Sequence, residues 1–178
     1  MDEPLVLPAN TTGIRSHAFE YLNFKGLSTD VVCPLLEIPE GNKISIGGSA
    51  FRYAKIKKII VPSDNKLNGT YIFANNKDLE ELICKSNNTA FNMCSDCTNL
   101  KTVVFTGSSP IISANAFANC TSLESVDLSE CTSVPNLSSL SAFDGVPTTC
   151  EFRIPAALYD EWINATNWCA LNVNYVAV

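Results

Sequence analysis

The chain has 178 residues, 46% of them apolar and only 17% charged, with a net charge of −6. That is one ordinary domain or one short repeat array, large enough for a core and too hydrophobic for disorder. The acidity argues against nucleic acid as a partner, which needs a positive surface, and no apolar run approaches the roughly 18 residues of a membrane span. The imbalance is local: residues 1–106 carry eleven Lys/Arg and eleven Asp/Glu, whereas residues 107–178 carry Arg153 against seven acids. The basic run Arg52, Lys55, Lys57 and Lys58 reads as a solvated edge.

Along the chain one short phrase returns seven times: apolar, any, apolar, with a Leu or Ile usually three residues before the first apolar position. Leu5/Leu7 opens the series and is followed by Pro8. Because this phrase stands at the start with no polar cap, the chain reads as beginning inside a repeat, with further residues or a domain expected before Met1. The missing signal peptide then carries little weight for localisation. An Ala18-Phe19 step follows, and the long interval to Leu36/Ile38 predicts an insertion near residues 24–32. The next copies are Ile56 with Ile59/Val61, Leu79 with Leu82/Cys84, Leu100 with Val103/Phe105 and Leu123 with Val126/Leu128; Phe152/Ile154 closes the series.

The middle positions are Leu5, Leu36, Ile59, Leu82, Val103, Val126 and Phe152, and the steps between them along the chain are 31, 23, 23, 21, 23 and 26. A repeat period of about 23 residues marks a solenoid. Alternation within the phrase predicts a strand with one face buried. Turn residues such as Pro39, Pro62 and Gly107-Ser-Ser-Pro110 punctuate it. Between strands comes a small-residue/aromatic step, at Ala50-Phe51, Ile72-Phe73, Ala116-Phe117 and Ala142-Phe143, with Cys94 in the Phe slot of one unit. A unit of this size buries its apolar side only by stacking on the next copy.

The wording from Ile112 through Ala116-Phe117, Cys120 and Leu123 to Leu128, and from Ile46 through Ala50-Phe51 to Pro62, closely resembles the BspA-like (Treponema pallidum type) leucine-rich repeats. The resemblance covers about residues 14–155. It implies a leucine-rich-repeat solenoid of six to seven repeats, with a parallel sheet along one side and a short C-terminal capping helix. Residues 1–155 then form the array and 156–178 the cap. Pro155 suits a helix start, and Leu158, Trp162 and Ala165 fall on one helical face. Trp162 and Trp168 read as a lid over the last repeat.

Eight cysteines require an account. Cys94 and Cys97 have the spacing of a zinc half-site or redox pair. The repeat supplies a better one: Cys97 aligns with Asn76 and Cys120, Cys94 with the Phe slots, and Cys84 with Val61, Phe105 and Leu128, all inward positions where cysteine serves as a small hydrophobe. No second pair completes a metal site. A disulfide between Cys97 and Cys120 on adjacent rungs is the alternative to reduced thiols. His17, the single histidine, reads as structural or solvent-facing, and no nucleophile elbow, phosphate loop or dinucleotide fingerprint occurs. Glu80, Glu81, Asp127 and Glu130 read as a solvated face. Six Asn-x-Ser/Thr triplets arise from composition in an Asn/Ser/Thr-rich repeat. Neither a catalytic residue nor a cofactor is expected.

Binding is then expected on the outward column of the sheet: Val6, Glu37, Ile60, Ile83, Val104, Asp127 and Arg153. Ile60, Ile83 and Val104 form an apolar stripe open to solvent, flanked by Lys58, Glu81 and Thr102. This is the composition of a protein-contact surface, although β-branched residues also favour strands for their own sake. The resemblance implies a non-enzymatic, cell-surface or secreted bacterial module that engages a host or neighbouring-cell protein. The alternative is a structural or receptor-binding component of a phage virion, made in the cytosol and contacting other virion subunits, and a weaker one is an enzyme's accessory domain.

Overall fold

A computed structural model describes residues 4–8, 10–21, 32–41, 43–63 and 66–178. The expected insertion at 24–32 lies outside the described residues except for Val32. In chain order the strands are β1 (Leu5–Val6), β2 (Gly13–Ile14), β3 (Leu36–Glu37), β4 (Ser45–Ile46), β5 (Lys58–Val61), β6 (Lys66–Leu67) and β7 (Glu81–Cys84). They continue as β8 (Thr102–Phe105), β9 (Ile111–Ile112), β10 (Ser125–Asp127), β11 (Asn136–Leu137), β12 (Glu151–Ile154) and β13 (Asn174–Ala177).

The chain is a parallel β-solenoid of about six turns. Its first side is a sheet in the order β1-β3-β5-β7-β8-β10-β12-β13, with every neighbouring pair parallel. All seven predicted phrases are strands of this sheet. The alternation works as the sequence requires: Ile59, Leu82, Val103, Val126 and Phe152 point inward and are fully buried. The Leu or Ile three residues ahead, Ile56, Leu79, Leu100 and Leu123, is buried with them, and Cys33 fills that slot before Leu36. Each such side chain removed from water contributes about 1.5–3 kcal/mol.

A second side carries short strands that the sequence reading did not identify. β2, β4 and β6 form one small parallel sheet, and β9 pairs with β11 in another. Each strand has room for one inward apolar residue: Ile14, Ile46, Ile112 and Leu137 are buried, and Leu67 of β6 is half-buried against the core. Thr89 and Ser113 link adjacent rungs here: the Ser113 hydroxyl donates to the Thr89 carbonyl (2.7 Å), and the Ser113 N–H donates to Thr89 Oγ1 (2.8 Å).

The third side is made of turns centred on the aromatic step. Its backbone N–H groups reach the next rung, from Phe19 to Ala50, Phe51 to Ile72, Phe73 to Met93, Cys94 to Ala116 and Phe117 to Ala142. The rings follow this spacing, with Phe19 stacked on Phe51, Phe51 on Phe73, and Phe117 on Phe143. Cys94 interrupts the column, as the alignment of repeats predicts. Two residues before and two after Phe19, Phe51, Phe73, Cys94 and Phe117 the backbone takes a positive φ: His17, Ser49, Tyr71, Asn92 and Asn115 before, and Tyr21, Tyr53, Asn75, Asp96 and Asn119 after. These left-handed positions turn the chain sharply on either side of the buried ring. Ala18 is exposed where Ala50, its counterpart one rung on, is buried, since no described residue packs beyond the first rung.

At the C-terminus a 3-10 turn (Ala156–Leu158) leads from Pro155 into the short helix α1 (Tyr159–Trp162). Trp162 and Trp168 are buried and meet edge to face, and Trp168 also packs against Phe143 and Phe152. Its indole N–H donates to the Pro135 carbonyl at 2.7 Å. The two indoles therefore cover the last rung, as a lid. The chain then adds β13, beyond the last strand expected from the sequence: Tyr175 pairs with Phe152, and its hydroxyl donates to the Trp168 carbonyl at 2.8 Å.

Candidate functional site: the outward face of the main sheet

Because strands in this sheet pair in register, their outward residues form straight columns. Ile60, Ile83, Val104 and Asp127 are successive partners, continued by Glu37 and Val6 on one side and Arg153 on the other. The second column runs Lys58, Glu81, Thr102 and Ser125. The structure thus brings all seven predicted contact residues, Lys58, Ile60, Glu81, Ile83, Thr102, Val104 and Asp127, onto one face.

Their exposure differs from the expectation in degree. Ile60, Ile83 and Val104 face outward but are half-buried rather than open. Ile83 lies between Ile60 and Val104, one strand spacing away on either side, while Ile60 and Val104 are flanked on their far sides by Glu37 and Asp127, so the β-branched groups shield one another from within the column. Val6, at the first strand, has a neighbour on one side only among the described residues and is 66% exposed.

The polar rim is organised. Lys58 and Glu81 are direct cross-strand partners, and their charged ends meet at 2.8 Å. A looser triplet below them places Glu80 between Lys57 (3.8 Å) and Lys101 (3.7 Å). Asp127 accepts from the Ser129 N–H at 2.9 Å, a local turn bond that fixes its carboxylate at the edge of the apolar stripe. Beyond it a shallow groove of about 680 Å³ lies between Ser122, Glu124, Pro147, Glu151 and Arg153. The face therefore mixes basic and acidic groups at one end and sets Glu124, Asp127 and Glu151 around Arg153 at the other.

The cysteines lie elsewhere. Seven of the eight are buried and all eight are unpaired, including Cys97 and Cys120. Burial pushes the Cys84 thiol from its ordinary value of 9.0 up to about 12. Burial also raises Cys131 to about 12, with Asp127 and Glu130 adding to the effect, and Cys150 to about 12 beside Glu151. Cys94, against Cys97, and Cys120 are pushed up by the same desolvation. Such thiols stay protonated and serve as small apolar groups and weak donors. Among the described residues no three His, Cys, Asp or Glu side chains are placed to hold a metal ion. His17 is exposed on the turn side and pairs with Glu20.

A stack of short repeated turns, with one continuous parallel sheet, a Leu/Ile/Phe interior and one outward residue per strand, is a leucine-rich-repeat solenoid. Proteins of this class offer extended surfaces to their partners. A family model of the BspA type leucine rich repeat region, in six copies, matches residues 3–124, and the chain belongs to that family. No curated protein and no solved structure matches the chain. The main sheet runs on past the matched residues through β10, β12 and β13.

Proposed function

We propose that this solenoid is a non-enzymatic protein-binding module, an array of residues 1–155 closed by 156–178, displayed at a bacterial cell surface or secreted, where it adheres to a host or neighbouring-cell protein. The observation that carries this reading is the in-register stripe Ile60, Ile83 and Val104 beside the Lys58–Glu81 pair and Thr102, ending at Asp127. An apolar centre with a charged rim is how protein interfaces are built. Membership of the BspA type family, whose repeat proteins often work in surface adhesion, supports the location. Among the described residues no helix is long and apolar enough to cross a membrane.

A second reading, a tail or receptor-binding component of a phage virion, is favoured by the seven buried unpaired thiols. Secreted proteins more often oxidise their cysteines, whereas virions assemble in a reducing cytosol. Fractionation of producing cells with an antibody separates the two. Protein on the cell surface or in the medium supports the adhesion reading, and protein sedimenting with phage particles supports the virion reading. Protein found solely in the cytosol of phage-free cells contradicts both.

A further inference from the structure

The turn side carries a second feature, independent of the sheet. Tyr21 and Tyr53, on adjacent rungs, stack at 4.6 Å with their planes 5° apart. The Arg52 guanidinium lies over the Tyr53 ring at 4.7 Å and over the Tyr71 ring at 5.0 Å. Arg52 Nη2 donates to the Tyr53 hydroxyl at 3.2 Å. Phe91 follows one rung on, its carbonyl accepting from the Tyr71 N–H. Tyr21, Tyr71 and Phe91 are 65%, 37% and 55% exposed, so three of the large apolar groups most open to water lie together on this ridge.

Two observations say that these side chains are not there for the fold. Tyr21, Tyr53 and Tyr71 all occupy left-handed positions (φ 56°, 57° and 58°), where a bulky side chain costs backbone energy. In the later rungs the same two positions are held by Asn75, Asp96 and Asn119, and by Asn92 and Asn115, the residue types that adopt this conformation most readily. Arg52 has no carboxylate within ion-pair distance among the described residues, and its Nε is buried without an acceptor.

The chemistry of the ridge selects its ligand. Tyr53 has one ring face against Tyr21 and a guanidinium over it, and Tyr71 has the same guanidinium over its own ring. Both faces of Tyr53 are therefore engaged, which disfavours a sugar stacked flat on it. What remains open is a set of phenol hydroxyls and ring edges around a cation. We infer that the ridge of Tyr21, Tyr53, Arg52, Tyr71 and Phe91 is a second docking surface, for an acidic segment of a protein partner whose carboxylate pairs with Arg52 while its apolar side chains rest on Tyr71 and Phe91. Tyr and Arg anchors in one cluster are the composition of binding hot spots.

The test is selection of a random peptide library on the full chain, with excess Arg52→Gln chain as competitor. The expected peptides are rich in Asp or Glu, lose about tenfold or more affinity for Arg52→Gln and for Tyr71→Asn, and bind Ile83→Lys unchanged. Tyr71→Asn is expected to melt no lower than the wild type, since Asn suits its backbone. Failure to enrich any peptide, enrichment of peptides without acids, or loss of binding on Ile83→Lys but not on Arg52→Gln would overturn the proposal. So would a sulfated oligosaccharide that takes the ridge through Arg52 while acidic peptides do not, or a clear fall in melting temperature for Tyr71→Asn.

Discussion

The thiol of Cys97 donates to the carbonyl oxygen of Phe73 on the preceding rung, 3.3 Å away. One rung earlier Asn76 makes the corresponding bond to Phe51 (2.8 Å), and one rung later Cys120 makes it to Cys94 (3.3 Å). Residues of different chemistry thus fill one inward slot and make one bond, which turns the repeat from a pattern of apolar spacing into a set of interchangeable parts.

Interchange is testable at Asn76. Its amide nitrogen is satisfied by two carbonyls, but its Oδ1 is buried with no donor. Asn76→Cys keeps a donor of the size used in the next two rungs and removes the orphaned oxygen. It is expected to hold stability within about 1 kcal/mol of wild type by denaturant unfolding. Asn76→Leu overfills the slot and removes the donor, and is expected to cost about 2 kcal/mol or more.

The thiols give a second prediction. At pH 8 an excess of an aromatic disulfide reagent is expected to modify one thiol per folded chain, the exposed Cys169, and the other seven only after unfolding. More than one fast thiol would contradict the packing of the inward slots.

The same groups set the alkaline limit of the fold. Cys84, Cys131 and Cys150 rise from 9.0 to about 12 on folding, so the folded chain keeps protons that the unfolded chain gives up. Their contribution is therefore complete below pH 9 and is lost as the pH climbs from 9 towards 12. Melting temperature is expected to fall across that window. Cys84→Val, which copies Val61 in the same register, is expected to shallow the fall by one proton's worth while leaving neutral-pH stability nearly unchanged.

Close approach between rungs makes a sharper structural prediction. A Cβ on Gly69 would stand 1.9 Å from the Gly48 backbone nitrogen, and neither backbone can move without opening the turn. A Cβ on Gly107 would clash with Asn87 Oδ1, at 2.6 Å, the end of an exposed side chain that can swing aside, and would meet the Lys85 carbonyl at an ordinary 3.6 Å. Gly69→Ala is expected to cost about 3 kcal/mol or more. Gly107→Ala is expected to stay within about 1 kcal/mol of the wild type. Equal losses at the two sites, read by thermal unfolding, would contradict the rung-to-rung geometry.

The main sheet was legible because its signal is periodic: Leu36, Ile59, Leu82, Val103 and Val126 recur at nearly constant spacing, and all of them are buried. One further period carries Phe152 to its partner Tyr175, so β13 was detectable as one more step of the series. It was hidden by the capping helix between them, which breaks the local pattern of small residue and Phe. The short strands at Ile14, Ile46, Ile112 and Leu137 carry one inward residue each, too few for any alternation to appear. The left-handed turns did leave a trace, Asn or Asp at 75, 92, 96, 115 and 119, but in the first rungs His17, Tyr21, Ser49, Tyr53 and Tyr71 occupy those positions and the trace disappears. The orientation of the contact stripe followed from strand parity alone. Its half-burial did not, because shielding between Ile60, Ile83 and Val104 depends on neighbours far apart in sequence.

Whether the sheet face binds a partner is decided by one comparison: the affinity of a protein captured from host or bacterial lysate for wild type and for Ile83→Lys, read beside the melting temperature of each. Ile83 sits at the centre of the stripe with its side chain outward and half-buried. The expected result is an affinity loss of about tenfold or more with a melting temperature within a few degrees of wild type. Unchanged affinity would remove the sheet face from the binding surface, and a collapse in melting temperature would place Ile83 in the core.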